Sequence, residues 1–369
     1  MLKKLKTTPN FFRSYDQLLL TGDAPVLVAI SGGSDSTALL VGLQEYFKQS
    51  KTHTDIVAVT IDHGLRPEAA QEARQVGDLC ATLGIKHIVK NCQLSANQSG
   101  VQAAARALRY SLISEAAREI GAQIVLTGHT LDDQLETIAM RSERGEGRGL
   151  AGISNASLFE RSTWFVRPLL GTTRSELRTY LSARDIGWVD DPSNNNREFE
   201  RVRVRQSKIS SAQKHQLLSV QSTAQMAREA AAGFGADFIR DARKLSFDDD
   251  TKTASLNLDC VDDEGFEPAL QTVMCKIGGR SHFASAVIMK QIYNFARSGK
   301  DREKFTAQAC LLTIRAGRLD VSLEKRAQPS GIYCFDYLLP ITEFALANAL
   351  NSRLNRPELP LLPIKSVAR

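Results

Sequence analysis

A short run of serine, glycine and aspartate, Ser31-Gly32-Gly33-Ser34-Asp35-Ser36, carries the clearest potential for chemistry in the sequence. It follows an apolar segment, residues 26–30, and directly precedes a helical pattern. Two glycines let successive backbone N–H groups turn toward one anion, and the N-terminus of the next helix adds partial positive charge. The run therefore predicts a phosphate-binding loop, whereas without a strand and a helix around it a tight turn would be favoured.

The carboxylate of Asp35 is unexpected inside an anion-binding loop. It either stabilises the helix terminus or helps to hold Mg²⁺ beside the phosphates. The run contains no lysine, as G-x-x-x-x-G-K-[ST] requires, and it does not have the spacing of G-x-G-x-x-G. A γ-phosphate-transferring ATPase and a dinucleotide-binding site are both disfavoured.

Three acidic residues, Asp132, Asp133 and Glu136, are spaced so that they share one side of a predicted helix. Like charges at this spacing repel one another, and a bound cation would relieve the repulsion. The alternative is an acidic first turn that complements the helix dipole, with Thr130 as N-cap. Because the acids follow a strand of the same predicted sheet as the serine-glycine loop, a substrate ammonium or Mg²⁺ is the favoured interpretation.

Basic and histidine side chains are candidates for contacts with phosphate. Arg106 and Arg109 lie three residues apart on a predicted helix, where two guanidiniums suit phosphate or carboxylate but also an exposed salt-bridging face. His63 and His129 each follow a predicted strand, where a ring can stack on adenine or donate to phosphate. A structural histidine is an equally good interpretation, and neither has the companions of a metal site.

Two later segments are also candidates for binding. Arg201, Arg203 and Arg205 alternate with valines, so an extended chain would direct all three guanidiniums toward a nucleic-acid backbone. The alternative is a charged edge strand that resists aggregation. The glycine-rich segment 145–149 is either a mobile loop that closes over substrate or a plain surface connection.

The elements that must position these residues alternate between strand and helix. Apolar runs predict strands at 26–30, 56–61, 86–90, 123–127 and 163–166, and helical periodicity follows at 36–47, 67–83, 101–120, 132–140 and 173–184. This alternation is typical of an α/β fold with an open parallel sheet, which binds ligands beyond the carboxyl ends of its strands. Beyond residue 206 we predict a smaller, mainly helical domain with helices at 207–244, 267–276 and 285–297 and a hairpin of residues 309–315 and 319–324.

Four segments follow from this organisation: an N-terminal extension (1–24), the α/β domain (25–208), a mainly helical domain with a short hairpin (209–330), and a tail or reduced extra domain (331–369). The 369 residues carry 47 Lys and Arg against 41 Asp and Glu, a formal net charge of +6 that permits a polyanionic partner such as RNA. We find no apolar stretch long enough to cross a membrane and no secretory leader, so a soluble cytoplasmic protein is expected. The six cysteines form no C-x-x-C pair, which favours small core residues over a zinc site.

The loop Ser31–Ser36 resembles that of the PP-loop ATP pyrophosphatase superfamily, which grips the pyrophosphate of ATP while the α-phosphorus is attacked. Further motifs in the same order resemble tRNA(Ile)-lysidine synthetase, and the likeness covers most of residues 25–206. The motifs are Asp62-His63-Gly64-Leu65-Arg66, Ala105-Arg106-Ala107-Leu108-Arg109-Tyr110, Thr127-Gly128-His129-Thr130-Leu131-Asp132-Asp133-Gln134-Leu135-Glu136-Thr137, Arg174-Ser175-Glu176-Leu177-Arg178 and Arg201-Val202-Arg203-Val204-Arg205.

The resemblance implies a PP-loop, adenine nucleotide alpha-hydrolase-like fold with helices on both faces of the sheet. The implied enzyme adenylates C2 of the wobble cytidine of tRNA(Ile) with a CAU anticodon, joins free L-lysine to it, and uses ATP and Mg²⁺. No membrane is implied, and monomer and homodimer both stay open. The implied site residues are Asp35, Arg109, Asp133 and Glu136 for catalysis; Ser31, Gly32, Gly33, Ser34, Asp35, Ser36, Asp62, His63 and His129 for ATP; Asp133 and Glu136 for lysine; Arg148, Arg201, Arg203 and Arg205 for tRNA; and Asp35 and Asp132 for Mg²⁺.

Two other functions are compatible with parts of the sequence. A PP-loop enzyme that thiolates tRNA would need a reactive cysteine pair or cluster-ligating cysteines near the motifs, whereas Cys80 and Cys92 form no recognisable pair. A nucleotide-responsive tRNA-binding module without turnover would retain the fold. The acidic residues argue against that module, because they would oppose binding of a polyanion.

Overall fold

The computed structural model describes residues 9–20, 24–62, 67–91, 101–145, 147–190, 200–207, 209–248, 250–280, 282–326, 338–354 and 356–365. The chain divides into two compact units, the first comprising Met1–Ser222 and Leu361–Arg369 and the second Thr223–Pro360. The division differs from the predicted segments at both ends of the second unit. One boundary lies inside a helix, Ser211–Arg240, where neither glycine nor proline marks it.

Six strands of the first unit lie in the order β5-β6-β4-β1-β2-β3. All neighbouring pairs are parallel except β5 and β6, which are antiparallel. The elements of the unit are β1 (Val26–Ala29), α1 (Ser34–Ser50), β2 (Ile56–Asp62), α2 (Pro67–Leu83), β3 (Lys86–Asn91), α3 (Val101–Glu119), β4 (Ile124–Thr127), α4 (Leu131–Ser142), β5 (Ala156–Phe159), β6 (Thr163–Val166), α5 (Arg174–Ser182) and α6 (Glu200–Gln206), with α7 (Ser211–Arg240) crossing into the second unit.

The strand order reverses between β1 and β4. The chain steps outward from β1 through β2 to β3, then returns across the sheet to β4 on the other side of β1. Right-handed crossovers place α1 and α2 on one face of the sheet and α3 on the other. Ala29 pairs with Thr127, and Leu126 with Val166, so the loops that follow β1, β4 and β6 begin at the same level. They meet at the reversal point, where open α/β sheets bind ligands.

The five predicted strands of this sheet are present, and the α/β fold is confirmed. Strand β1 is buried on both sides, since Val26, Leu27 and Val28 are at most 1% exposed, which explains its continuous apolar run. The sequence analysis missed β5, whose hairpin with β6 turns through Glu160 and Arg161 at φ values of 44° and 58°. A left-handed turn of this kind is signalled by Asn or Gly, and neither is present here.

A 3₁₀ helix, Asn10–Gln17, packs against α1. Its Phe11, Phe12 and Tyr15 are almost fully buried. Gly42 of α1 lies directly beneath, where an added Cβ would come within 2.8 Å of the Phe11 ring. Residues 10–17 of the segment predicted as an N-terminal extension therefore contribute to the core of the first unit.

The chain also returns to the first unit near its C-terminal end. Leu19 donates its backbone N–H to the carbonyl of Pro363 at 2.8 Å, and Lys365 donates to the carbonyl of Gln17 at 2.8 Å. Leu18 and Ile364 form the antiparallel bridge between them. Backbone pairing thus joins segments more than 340 residues apart.

The second unit contains an antiparallel sheet in the order β7-β8-β11-β10-β9. Its elements are β7 (Leu245–Asp248), β8 (Thr253–Asn257), α8 (Phe266–Gly278), α9 (Ala286–Ser298), β9 (Lys304–Ala307), β10 (Cys310–Arg315), β11 (Arg318–Leu323), β12 (Leu338–Pro340) and α10 (Phe344–Arg353), with short 3₁₀ turns at Leu258–Cys260 and Ile341–Glu343.

The predicted hairpin is present as β10 and β11, which turn through Ala316 and Gly317 at positive φ. It lies within a five-stranded sheet, so the description of this region as mainly helical with one hairpin was incomplete. Strands β7, β8 and β9 escaped prediction because each is both short, with four or five residues, and only partly buried. Within the described ranges, none of the helices is long and apolar enough to cross a membrane.

Candidate active site

The loop that follows β1 has the form of an anion site. Helix α1 begins at Ser34 with Gly33 as N-cap and no capping side chain. The first-turn N–H groups of a helix have no intrahelical acceptor, so those of α1 are available to a ligand. Gly32 adopts a φ of +82°, which favours glycine. Ser36 fixes the loop by accepting from Ser31 N at 3.1 Å and donating to Gly33 O at 3.2 Å.

The loop after β4 lies directly against this one. A Cβ on Gly128 would come within 2.8 Å of Ser36 N and 2.9 Å of Ser36 Cα, so only glycine permits this approach. In the neighbouring residue, His129 Nδ1 lies 3.0 Å from Thr127 Oγ1. Burial and the positive charge of Arg167 lower the pKa of His129 to about 3. The imidazole is therefore uncharged at neutral pH and able to stack on an adenine ring or to donate a hydrogen bond to a phosphate.

The three predicted acids lie at the start of α4, and two of them serve as helix caps. Thr130 and Asp133 form a capping box in which Thr130 N donates to Asp133 Oδ2 at 2.9 Å, so the predicted N-cap is present. Asp132 Oδ2 accepts the backbone N–H of Arg174 at 2.7 Å, which caps α5 instead. Burial alone would raise the pKa of Asp133, but the Thr130 N–H and the charge of Arg174 lower it. Asp133 is therefore ionised at neutral pH.

Arg174 lies between the phosphate loop and these acids. Its Nε is 2.9 Å from Asp35 Oδ2, its Nη2 is 3.3 Å from Asp133 Oδ1, and its Nη1 is 3.9 Å from Glu136 Oε1. Burial would lower the pKa of Arg174, but the charges of Asp35 and Asp133 raise it. Sequence analysis did not assign Arg174 to the site. A signal was present, because a cation in the first turn of a helix opposes the helix dipole and needs anionic partners.

Residues 200–206 form helix α6, so the predicted extended strip of three guanidiniums was wrong. Arg205 grips Glu136 with two hydrogen bonds, Nε to Oε1 at 2.7 Å and Nη2 to Oε2 at 3.1 Å. Arg201, one turn earlier, lies 3.6 Å from Glu136 Oε2 and donates to Thr137 Oγ1 at 3.0 Å. Arg203 lies off this face and is exposed. The helical spacing of four, not the strand spacing of two, aligns Arg201 and Arg205.

Together these residues form what we call the charge cluster. Glu136 is only 3% exposed, and an unpaired carboxylate at that depth would be strongly disfavoured. The cluster has four carboxylates and three guanidiniums, so arginines supply the positive charge that the repulsion among the acids requires. Its members are Asp35, Asp132, Asp133, Glu136, Arg174, Arg201 and Arg205.

A second basic group lies beside it, near the ends of α3 and β6. Arg106 and Arg167 both donate to the Tyr110 hydroxyl, at 3.0 and 3.2 Å. Burial alone would raise the pKa of Tyr110, but the charges of Arg167, Arg106 and Arg109 lower it. Arg167 is 4% exposed, whereas Arg109 is exposed on α3. Tyr110 and Arg167 are therefore buried, whereas Arg106, which also contacts Tyr110, is exposed like Arg109.

The glycine-rich segment after α4 is anchored to that helix. Arg141 Nη1 donates to the carbonyls of Gly149 and Gly152 at 2.7 and 3.0 Å, and Gln134 Nε2 donates to Ile153 O at 3.0 Å. These contacts anchor residues 149–153 to α4, and the choice between a mobile loop and a surface connection over residues 145–149 stays a prediction.

The remaining predicted site residues are only partly described. Asp62 ends β2 and is half-buried, His63 lies outside the described residues, and so does the side chain of Arg148. In the described part of the chain, no group of three or more His, Cys, Asp or Glu side chains is arranged to hold a metal ion.

Comparison with known proteins agrees with this geometry. A family model for the PP-loop domain matches residues 7–212. The tRNA(Ile)-lysidine synthase of Rhizobium meliloti is 38% identical over 338 residues, 88% of this chain and 72% of that protein. The enzymes of the same name from Mesorhizobium japonicum and Brucella ovis are 40% and 42% identical, over 69% and 64% of this chain. The chain spans 57% and 53% of their lengths.

The sheet order, the serine-glycine loop and the family match define a PP-loop protein. Within that class the chain belongs to the tRNA(Ile)-lysidine synthase family, as its similarity to the Rhizobium meliloti enzyme establishes. The predicted family and ligase class are confirmed, and the comparisons favour them over a thiolation enzyme and over a binding module.

Proposed function

We propose that this chain joins free L-lysine to C2 of the wobble cytidine of tRNA(Ile) with a CAU anticodon. The cytidine O2 first attacks the α-phosphorus of ATP and pyrophosphate leaves. The lysine ε-amine then attacks C2, loses a proton, and displaces AMP. One observation carries the proposal: Arg174 contacts both Asp35 of the phosphate loop and the acids Asp133 and Glu136, so a nucleotide site and an ammonium site share one crevice.

The nucleotide side of the crevice is built by the loop Ser31–Ser36 and by His129. Uncapped N–H groups at the start of α1 suit the phosphates, and the uncharged imidazole of His129 suits the base or a phosphate oxygen. Asp35 is the carboxylate that would hold Mg²⁺ beside the phosphates of ATP, where the ion would offset their negative charge. Asp132 is a weaker metal candidate, because its Oδ2 already caps α5.

Lysine is assigned to Asp133 and Glu136. Because the pKa of Asp133 is lowered, it serves as a charge partner for the ammonium and is a poor proton acceptor. Both acids are paired with guanidiniums here, so an incoming ammonium exchanges with Arg205 or Arg174. Burial of the pair makes that exchange selective for a cation, since an uncharged side chain would leave the carboxylates uncompensated.

The tRNA is assigned to exposed basic residues, of which Arg203 and Arg109 are described and Arg148 is carried over from the family motif. Arg201 and Arg205 are not included, because they pair with Glu136.

Thiolation is less well supported. In the described part of the first unit, Cys80 is the one cysteine, and it is fully buried. Burial raises the pKa of the Cys80 thiol to about 11, which makes it a poor sulfur nucleophile.

The deciding experiment combines purified protein, Mg²⁺, ATP, isotopically labelled lysine and a tRNA(Ile) transcript with a CAU anticodon. We expect ATP-dependent label in the RNA that resists mild base, as an aminoacyl ester would not. A transcript with uridine in place of the wobble cytidine is the matched substrate control. AMP release without label in the RNA would reject lysine as the nucleophile.

Two variants distinguish the adenylation step from the lysine-transfer step. Asp35→Ala is expected to abolish AMP release, whereas Glu136→Gln is expected to raise the lysine concentration needed without preventing adenylation. Glu143→Gln, on an exposed position just after α4, is the control for a lost carboxylate and should match the parent chain. Equal loss of adenylation in Glu136→Gln would move that acid to the ATP site.

A further inference from the structure

We propose that Arg174 is a positioning residue that couples the two small substrates, because its guanidinium moves from the lysine-binding acids to the phosphates of ATP when the nucleotide binds. The inference rests on the proposed function. It makes lysine binding depend on prior occupation of the nucleotide site.

One cation is shared between two sites that the chain brings together from distant segments. Arg174 contacts Asp35, which is 139 residues earlier, and Asp133, which is 41 residues earlier. Asp35 belongs to the phosphate loop after β1, and Asp133 to the acidic turn after β4. A charged ligand that binds beside Asp35 or beside Asp133 therefore also interacts electrostatically with Arg174.

The backbone of Arg174 is fixed while its side chain has alternative partners. Asp132 Oδ2 holds the Arg174 N–H at 2.7 Å, and Thr173 anchors the start of α5 through a capping box with Glu176. Of the three described carboxylates near the guanidinium, Asp35 is the nearest at 2.9 Å, and Asp133 and Glu136 lie at 3.3 and 3.9 Å. A change of side-chain rotamer therefore suffices to redirect it.

Charge determines the direction of this movement. The polyphosphate of ATP carries several negative charges, and a guanidinium forms strong bidentate hydrogen bonds to phosphate oxygens. The ammonium of lysine, in contrast, would be repelled by Arg174 at a few ångströms in a poorly solvated crevice. ATP thus draws Arg174 away from Asp133 and leaves its Oδ1 for lysine, whereas Glu136 stays paired with Arg205 until the ammonium takes its place. By thermodynamic reciprocity, lysine also strengthens the binding of ATP by the same factor.

The test measures equilibrium binding of labelled lysine to the full chain without tRNA, with Mg²⁺ present and with or without α,β-methylene-ATP. For the parent chain we expect the analogue to tighten lysine binding by roughly 5- to 150-fold, the usual range for coupled sites. Arg174→Gln, which keeps bulk and loses charge, should reduce this ratio to about one. Arg174→Lys keeps the charge and should retain a ratio clearly above one.

A matched control addresses the stability of α5. Thr173→Ala removes the cap of the same helix and leaves the guanidinium in place. It should keep the parent ratio. Three outcomes would each overturn the inference. Arg174→Gln could keep the same ratio as the parent chain, or Arg174→Gln and Arg174→Lys could show equal ratios. Thr173→Ala could also lower the ratio as much as Arg174→Gln does.

The same measurement distinguishes this inference from the proposed function. Lysine that binds the parent chain equally well with and without the analogue would overturn the role of Arg174 and leave the ligase proposal standing. Absence of lysine binding in both conditions would overturn both.

Discussion

Individual ionisable side chains in the crevice are held in one charge state by their neighbours. His129 is kept neutral by burial and by the nearby positive charge of Arg167. Asp133 is kept ionised by the Thr130 N–H and by Arg174, despite its burial. The two side chains lie four residues apart in sequence and have opposite responses to desolvation. A change of pH therefore acts on them in separate ranges.

The free energy of unfolding should fall as the pH decreases below 6.5. The folded-state pKa of His129 is about 3, against 6.5 for a free histidine, so the unfolded chain binds the extra proton first. One such group contributes a slope of at most about 1.4 kcal/mol per pH unit. Urea unfolding from pH 7.5 down to about pH 4.5 measures this slope.

The variant His129→Asn retains an acceptor near Thr127 and cannot be protonated, so its slope in this range should be smaller. Protonation of Asp133 does not contribute to the slope of the free energy of unfolding in this pH range. Its folded-state pKa lies below 3.8, and its contribution is lost only when the pH falls below that value. Identical pH profiles for the variant and the parent chain would contradict the assignment to His129.

At this scale, local motifs were predictable and long-range partners were not. Ser31–Ser36 and the acids Asp133 and Glu136 are recognisable because their spacing and their position after a strand are local properties. Arg174 was missed because its partners come from two other loops. A sequence pattern does not specify which distant side chains the fold will bring within 4 Å.

Among the elements, α6 shows how a pattern can fit two structures. Alternation of Arg with Val is typical of a strand, yet residues 201 and 205 are also one helical turn apart. Burial decides between them, since Val202 is 6% exposed and Glu136 needs two guanidiniums from the same side. The helix presents Arg205 to the crevice and Arg203 to solvent.

Substitutions on the two sides of α6 should have different effects. Arg203→Gln is expected to lower the slope of log K for tRNA against log salt by about one, without altering stability. Arg205→Gln should leave that slope unchanged and lower the free energy of unfolding by roughly 1 to 3 kcal/mol. This is less than for a fully buried pair, because Arg205 is partly solvated and Arg174 and Arg201 still lie near Glu136.

Filter binding at several salt concentrations measures the salt slope, and urea unfolding measures the free energy of unfolding. If both variants reduced the salt slope equally, α6 would present a single basic surface to RNA, and the division between its two sides would be wrong.

Burial explains the outcome of strand prediction at β1, β4 and β8 but not at β5. The runs in β1 and β4 are almost entirely apolar because helices cover both faces of the sheet. Strand β8 alternates buried and half-buried residues over only five positions, which gives a weak signal. Strand β5 is fully buried, but its turn has no glycine to mark the hairpin.

The whole molecule divides into two compact units, each with its own buried residues. Trp164 and Phe165 are buried in the first unit, and Phe266 and Leu312 in the second. Nucleotide binding is proposed only for the first. Nucleotide binding should therefore raise the free energy of unfolding of the first unit more than that of the second.

Calorimetric unfolding should show two transitions, of which α,β-methylene-ATP with Mg²⁺ raises only one. The variant Leu312→Ala should lower the other transition, with a loss of about 2 to 5 kcal/mol typical of a buried leucine. A single transition that moves as a whole with ligand and with Leu312→Ala would show that the units unfold as one.

The pairing of residues 17–19 with residues 363–365 also affects the order of folding during synthesis. Leu18 and Leu19 leave the ribosome early, but their backbone partners follow only after the whole segment Thr223–Pro360 has been made. At elongation rates of about 5 to 20 residues per second that interval is roughly 7 to 30 s, much longer than the formation of a helix or hairpin. The first unit therefore stays incomplete while the second is translated, and its edge near Leu18 is unpaired until then.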